Sequence, residues 1–266
     1  MRALVMGVLN VTPDSFSDGG RWLDHDAAVA HGLEMAAEGA DIVDVGGEST
    51  RPGARPVPAE VELARVIPVI EALAPRVRVS VDTRKAVVAE RAIEAGATLV
   101  NDVSASLHEV AAAGGVGWVA MHMRGTPETM QDDPHYDDVV GEVRDFLVER
   151  ARRALDAGVP EVWIDPGIGF GKTLDHNLAL LASLRELAAT GFPVLVGASR
   201  KSFIGALTGG APPDDRLEGS LAVAVWAVCN GARMVRVHDV APTVRALRLV
   251  GDEVVDDLSA AAEAAV

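Results

Sequence analysis

The chain has 266 residues, with 24 Lys and Arg against 39 Asp and Glu, and a formal net charge of −15. So acidic a chain lacks the basic stripe that phosphate backbones require, which excludes nucleic acid as a general partner. Its one cysteine, Cys229, rules out an internal disulfide framework, and no run reaches the roughly 20 apolar residues of a membrane span. A cytoplasmic protein without membrane attachment is expected.

The first eleven residues are apolar, but Asn10, Thr12, Pro13 and Asp14 interrupt at once without a small-residue cleavage site. They read as a buried first strand, Ala3–Leu9, rather than a signal peptide. Short β-branched runs then alternate with Ala-, Leu- and Glu-rich stretches. The predicted order is helix Asp26–Glu38, strand Asp41–Val45, helix Ala59–Ala74, strand Val77–Val81, helix Lys85–Ala95 and strand Thr98–Val100. A weak helix Leu107–Ala113, strand Gly117–Met121, helix Asp137–Ala157, strand Glu161–Ile164 and helix Leu174–Ala188 follow. Strand Val194–Val196, helices Lys201–Leu207 and Asp215–Asn230, strand Arg233–Val237 and helix Ala241–Leu249 complete the series. Eight strand-then-helix units imply a TIM (β/α)8 barrel, an α/β fold in one domain over residues 1–250. Residues 251–266 form an acidic, Ala-rich C-terminal tail.

A weak internal repeat supports the barrel. Gly39-Ala40-Asp41-Ile42-Val43-Asp44 returns as Gly96-Ala97-Thr98-Leu99-Val100-Asn101 and as Gly231-Ala232-Arg233-Met234-Val235-Arg236. In each, a glycine ends a helix, a strand follows, and a polar residue closes it where barrel enzymes keep their chemistry.

The strand ends are chemically rich. The first leads into Asn10 through Gly20, a long connection carrying Phe16 and readable as a lid. The second leads into Gly46-Gly47-Glu48-Ser49-Thr50-Arg51-Pro52-Gly53, where Arg51 suits a phosphate. Asp82 follows the third, Asn101 the fourth, Asp165 through Lys172 the sixth, Ser199-Arg200-Lys201-Ser202 the seventh, and Arg236-Val237-His238-Asp239 the eighth. Taken singly, Asp82 could cap a helix, Asn101 could brace a turn, and Arg200 with Lys201 could be a solvated pair. Pro166 stands where a nucleotide-binding P-loop needs glycine, no cluster has zinc spacing, and Ser199 lacks a hydrolase elbow. Together the groups define two halves. Asp82, Asn101 and Asp165 suit a flat heterocycle with an amino-amide edge. Arg51, Arg236 and His238 suit a diphosphate, with Asn10 as an oxygen ligand for Mg²⁺.

These segments resemble the dihydropteroate synthase family, the folate-pathway enzymes inhibited by sulfonamides. The resemblance runs from Met6 to about Val240 and is strongest at Gly7–Gly20, Asp44–Gly53, Ser80–Thr83, Asp165–Lys172 and Ser199–Ser202. It implies a transferase that condenses 6-hydroxymethyl-7,8-dihydropterin diphosphate with p-aminobenzoate to 7,8-dihydropteroate and diphosphate, by an SN1-like route with Mg²⁺. Asp82, Lys201 and Arg236 are then the catalytic residues. Asp82, Asn101, Met121, Asp165, Phe170, Lys201 and Arg236 bind pterin. Asn10, Thr50, Arg51, Arg236 and His238 bind diphosphate, and Asn10 also holds the metal. Phe16, Thr50, Pro52, Lys201 and Ser202 bind p-aminobenzoate. The resemblance implies a homodimer, to which the apolar stretch Leu217–Ala232 adds a candidate contact. His122 is assigned to packing. The competing readings are a pterin-dependent methyltransferase domain and a non-catalytic pterin-binding paralogue.

Overall fold

A computed structural model describes residues 2–12, 24–51 and 53–250. Eight parallel strands close in sequence order: β1 (Leu4–Asn10), β2 (Ile42–Gly46), β3 (Arg78–Asp82), β4 (Leu99–Asp102), β5 (Gly117–Met121), β6 (Val162–Asp165), β7 (Val194–Val196) and β8 (Ala232–Val237). Around them lie α1 (His25–Glu38), α2 (Ala59–Leu73), α3 (Ala86–Glu94), α4 (His108–Gly114), α5 (Val139–Asp156), α6 (Leu174–Ala182), α7 (Leu184–Ala188), α8 (Ser202–Leu207), α9 (Leu217–Cys229) and α10 (Val240–Arg248). The expected TIM barrel is the fold. The tail, most of the first long connection and Pro52 lie outside the described residues, and so do the aminobenzoate assignments of Phe16 and Pro52.

Strand alternation divides the interior into two floors. Met6, Ile42, Leu99, Val119, Trp163, Leu195 and Met234 pack together inside the barrel, separate from the core between strands and helices. Two residues further along the chain stand the polar groups Asp44, Asn101, Asp165 and Arg236, with Val8, Met121 and Gly197 at the same positions of the other strands. Side chains two apart on a strand share a face, so the polar set sits directly above an apolar plug. At the opposite rim Arg78 pairs with Glu161, which accepts from Trp163 Nε1 at 2.7 Å. That end of the barrel is sealed by structural contacts.

Three features differ from the sequence expectation. Strands β3, β4 and β6 extend through Asp82, Asp102 and Asp165, so these carboxylates belong to the sheet rather than to the loops after it. The ladder needs only backbone groups, and polar side chains continue it where they project into the barrel mouth. The stretch 174–188 is two helices, because Ser183 turns the chain (φ −101°, ψ 18°) while Leu180, Leu181, Leu184 and Leu187 all stay buried. A short 3-10 turn, Pro213–Asp215, precedes α9, which therefore begins two residues later than expected. The repeat glycines do terminate helices: Gly39 and Gly231 hold φ of 106° and 97°, a region costly for residues with a Cβ.

Candidate active site

The site centres on Asp44, which is 0% exposed. Its Oδ2 accepts from Arg236 Nε at 2.6 Å and from Asn101 Nδ2 at 2.9 Å. The other arm of Arg236 donates from NH2 to Asp82 Oδ2 at 2.7 Å. One arginine from β8 thus bridges carboxylates on β2 and β3, and the amide of β4 closes the group. Asp82 Oδ1 is buried and has no hydrogen-bond partner among the described residues. A buried carboxylate oxygen left in that state is costly unless something else meets it.

Electrostatics follow from burial. Burial pushes the Asp82 carboxyl up to about 7, against the pull of Arg236 and with the charge of Asp44 adding to the rise. Burial alone lowers the Arg236 guanidinium, but Asp44 and Asp82 outweigh it and hold the group above its ordinary value. Asp165 is raised by burial too, opposed by Lys201 and by the Gly167 N–H that donates to its Oδ1 at 2.7 Å. A Cβ placed on Gly197 would lie 3.6 Å from Arg236 Cβ and 3.8 Å from Asp165 Oδ2, so this glycine separates the two groups across the mouth.

Lys201 precedes α8. Its ammonium donates to the Ile168 carbonyl and lies 4.5 Å from the centroid of the Phe170 ring. Burial lowers it to about 8 despite attraction from Asp165. His238 is brought down to about 4 by burial, reinforced by Arg236 and Arg200, with Arg51 also contributing. A neutral ring is consistent with its contact to Ser199 Oγ at 3.1 Å. Arg200 adopts φ 59° and clamps Asp239 with two bonds of 3.0 and 2.6 Å, so it ties the β7 and β8 ends together.

The structure therefore brings Asp82, Asn101, Asp165, Phe170, Lys201 and Arg236 into one network, with Met121 paired in register with Asp165. Asn10, Arg200, His238 and Asp239 line a cavity of about 640 Å³ that is also bounded by His31, Glu34 and Glu38 of α1. Thr50 is half-buried, while Arg51 and Ser202 are exposed. The single-residue alternatives fail. Lys85, not Asp82, stands at the N-terminus of α3; the Asn101 amide serves Asp44; Arg200 is ion-paired and Lys201 partly buried. His122 does pack, edge-on to Phe146 at 5.0 Å, but also meets Lys172 Nζ at 3.0 Å.

Asp44 was absent from the residues assigned from sequence. Its signal was a charged residue within a β-branched strand of a parallel sheet, a place normally apolar. Lys172, buried at the end of the loop after β6, carried no assignment from sequence either.

No group of three or more His, Cys, Asp or Glu able to hold a metal occurs among the described residues. Among those residues, too, no helix is long and apolar enough to cross a membrane.

The family of pterin binding enzymes matches residues 6–238. The chain is 51% identical to the dihydropteroate synthase of Mycobacterium leprae, over 93% of this chain and 92% of that one. The Yersinia pestis dihydropteroate synthase, solved with a sulfonamide drug, superposes with a TM-score of 0.88 at 48% identity, covering 94% of this chain and 93% of its own. The Xanthomonas albilineans enzyme with 4-aminobenzoic acid gives 0.87 at 52% identity, covering 93% and 92%. A barrel mouth of this composition, matched along nearly its whole length at such identity, places the chain among the pterin binding enzymes, in the dihydropteroate synthase family.

Proposed function

We propose that the chain condenses 6-hydroxymethyl-7,8-dihydropterin diphosphate with p-aminobenzoate in the cytoplasm, and that the polar floor above the barrel plug does the chemistry. The observation that carries this is the Asp44–Arg236–Asp82 bridge with one Asp82 oxygen unpartnered. Asp82, Asn101 and Asp165 present acceptors and an amide to the pterin's amino and ring N–H groups, with Met121 and Phe170 against its faces. Arg236 lies beside Asp82, where it meets both the ring and the departing diphosphate.

The donor set suits Mg²⁺ bound chiefly through substrate. Asn10 offers one amide oxygen, and Mg²⁺ commonly combines one or two protein ligands with phosphate oxygens and water. When bound, the ion neutralises charge on the leaving diphosphate. Thr50, Arg51, Arg236 and the neutral His238 supply further donors to that group.

The methylene–oxygen bond breaks first, its electron pair leaving with diphosphate. The resulting pterin methylene cation is stabilised by the Asp82 carboxylate, a preorganised charge in a water-poor site. The neutral aniline nitrogen of p-aminobenzoate, placed by Phe16, Thr50, Pro52, Lys201 and Ser202, attacks this carbon. The nitrogen's proton then passes to water or to the released diphosphate, and no strong general base is required. A homodimer is supported by α9, which is apolar after Ser220 and leaves Trp226 51% exposed.

Incubation with both substrates and Mg²⁺ should yield dihydropteroate and diphosphate in equal amounts, with a sulfonamide competing against p-aminobenzoate. Pterin binding without product would instead identify a non-catalytic paralogue.

A further inference from the structure

We propose that Lys172 is a positioning residue for Lys201, acting through the loop between β6 and α6; this deepens the functional reading above and rests on it. Lys172 is only 3% exposed. Its ammonium has three N–H donors and meets three acceptors: His122 Nδ1 at 3.0 Å, the His122 carbonyl at 3.3 Å and the Phe170 carbonyl at 3.0 Å. A buried cation this fully matched is a fixed strut rather than a solvated loop residue.

The strut holds a short segment with two outputs. Ile168 lends its carbonyl to the Lys201 ammonium, and Phe170 lends its ring. The same segment is clamped from the β5–α5 connection. Tyr136 Oη donates to the Gly171 carbonyl at 2.8 Å, and Gln131 Nε2 donates to the Gly169 carbonyl at 3.0 Å. From α6, Asn177 Oδ1 accepts from the Gly169 N–H at 2.7 Å. Lys172 sits at the centre of these clamps, bonding both the loop and the β5 end. It does not reach the reacting groups by any hydrogen bond in the structure. Its influence on Lys201 passes through Phe170.

Lys172 also faces two charges, Asp165 on β6 and Lys201 before α8, beside the neutral ring of His122. Burial lowers Lys172 to about 7, with Asp165 opposing the fall, and its charge in turn lowers Asp165. Removal of that charge therefore raises Asp165 further.

The test is Lys172→Met, which keeps the chain length without the ammonium. The Kd for 7,8-dihydropteroate and the KM for p-aminobenzoate should each rise about tenfold, with kcat falling less than threefold, as expected for displaced binding groups. Unchanged Kd and KM, or a fall in kcat alone, overturns the proposal. If Lys172→Met does not fold, Tyr136→Phe removes a single clamp and should raise the same two constants about threefold; unchanged values overturn it. If the wild type makes no dihydropteroate, the functional reading fails, while the Kd comparison by calorimetry still decides the role of Lys172.

Discussion

Asp44 shows how a residue can matter to a site through the side chains it holds. One of its oxygens orients both Arg236 and Asn101, and Asp44 itself is wholly buried. Breaking a buried ion pair by removing one partner typically costs about 3–5 kcal/mol, because the survivor is left uncompensated. Arg236 keeps Asp82, so the lower end applies. Asp44→Ala should lose about 3 kcal/mol in chemical denaturation and weaken dihydropterin diphosphate at least tenfold by calorimetry. Unaltered affinity would mean that Arg236 and Asn101 hold their places without it. Much of the site is legible at this scale. Asp82, Asn101, Asp165 and Arg236 declare themselves as polar groups ending β-branched runs. Asp44 does so less clearly, since it lies inside its strand and its role depends on a partner 192 residues away.

Among the elements, the loop after β6 is the most tightly specified. Gly167 holds φ 65°, and a Cβ there would fall 1.9 Å from the His122 carbonyl oxygen. Neither backbone can yield, since His122 N–H is bonded to the Asp165 carbonyl at 3.0 Å. Gly167→Ala should displace the segment carrying Ile168 and Phe170 and lower kcat/KM about a hundredfold, the scale of a 1 Å misplacement. A variant with ordinary kinetics would show that the loop is not a precision part. Strand and helix order is legible from periodicity. The division of residues 174–188 into two helices is not legible, because Leu, Ala and Glu favour helix throughout and the break comes from packing four leucines on a curved barrel wall.

Across the whole molecule, an acidic chain of net charge −15 gathers Arg51, Arg200, Lys201 and Arg236 around one mouth. Local cations rather than overall charge therefore decide what enters, which reconciles an acidic protein with an anionic substrate. The barrel provides the means: an apolar plug fills the lower floor, and strand alternation sets Asp44, Asn101, Asp165 and Arg236 above it. The central claim is that the Asp82 carboxylate stabilises a cation formed in this mouth, and the direct measurement is the pH-dependent turnover of wild type and Asp82→Asn with both substrates and Mg²⁺. Asp82 is raised by burial to about 7, so wild-type kcat/KM should fall as the pH drops below that value and the carboxylate is protonated. Asp82→Asn should lose about a hundredfold or more in kcat and lack that limb. Near-normal turnover by Asp82→Asn would contradict the account.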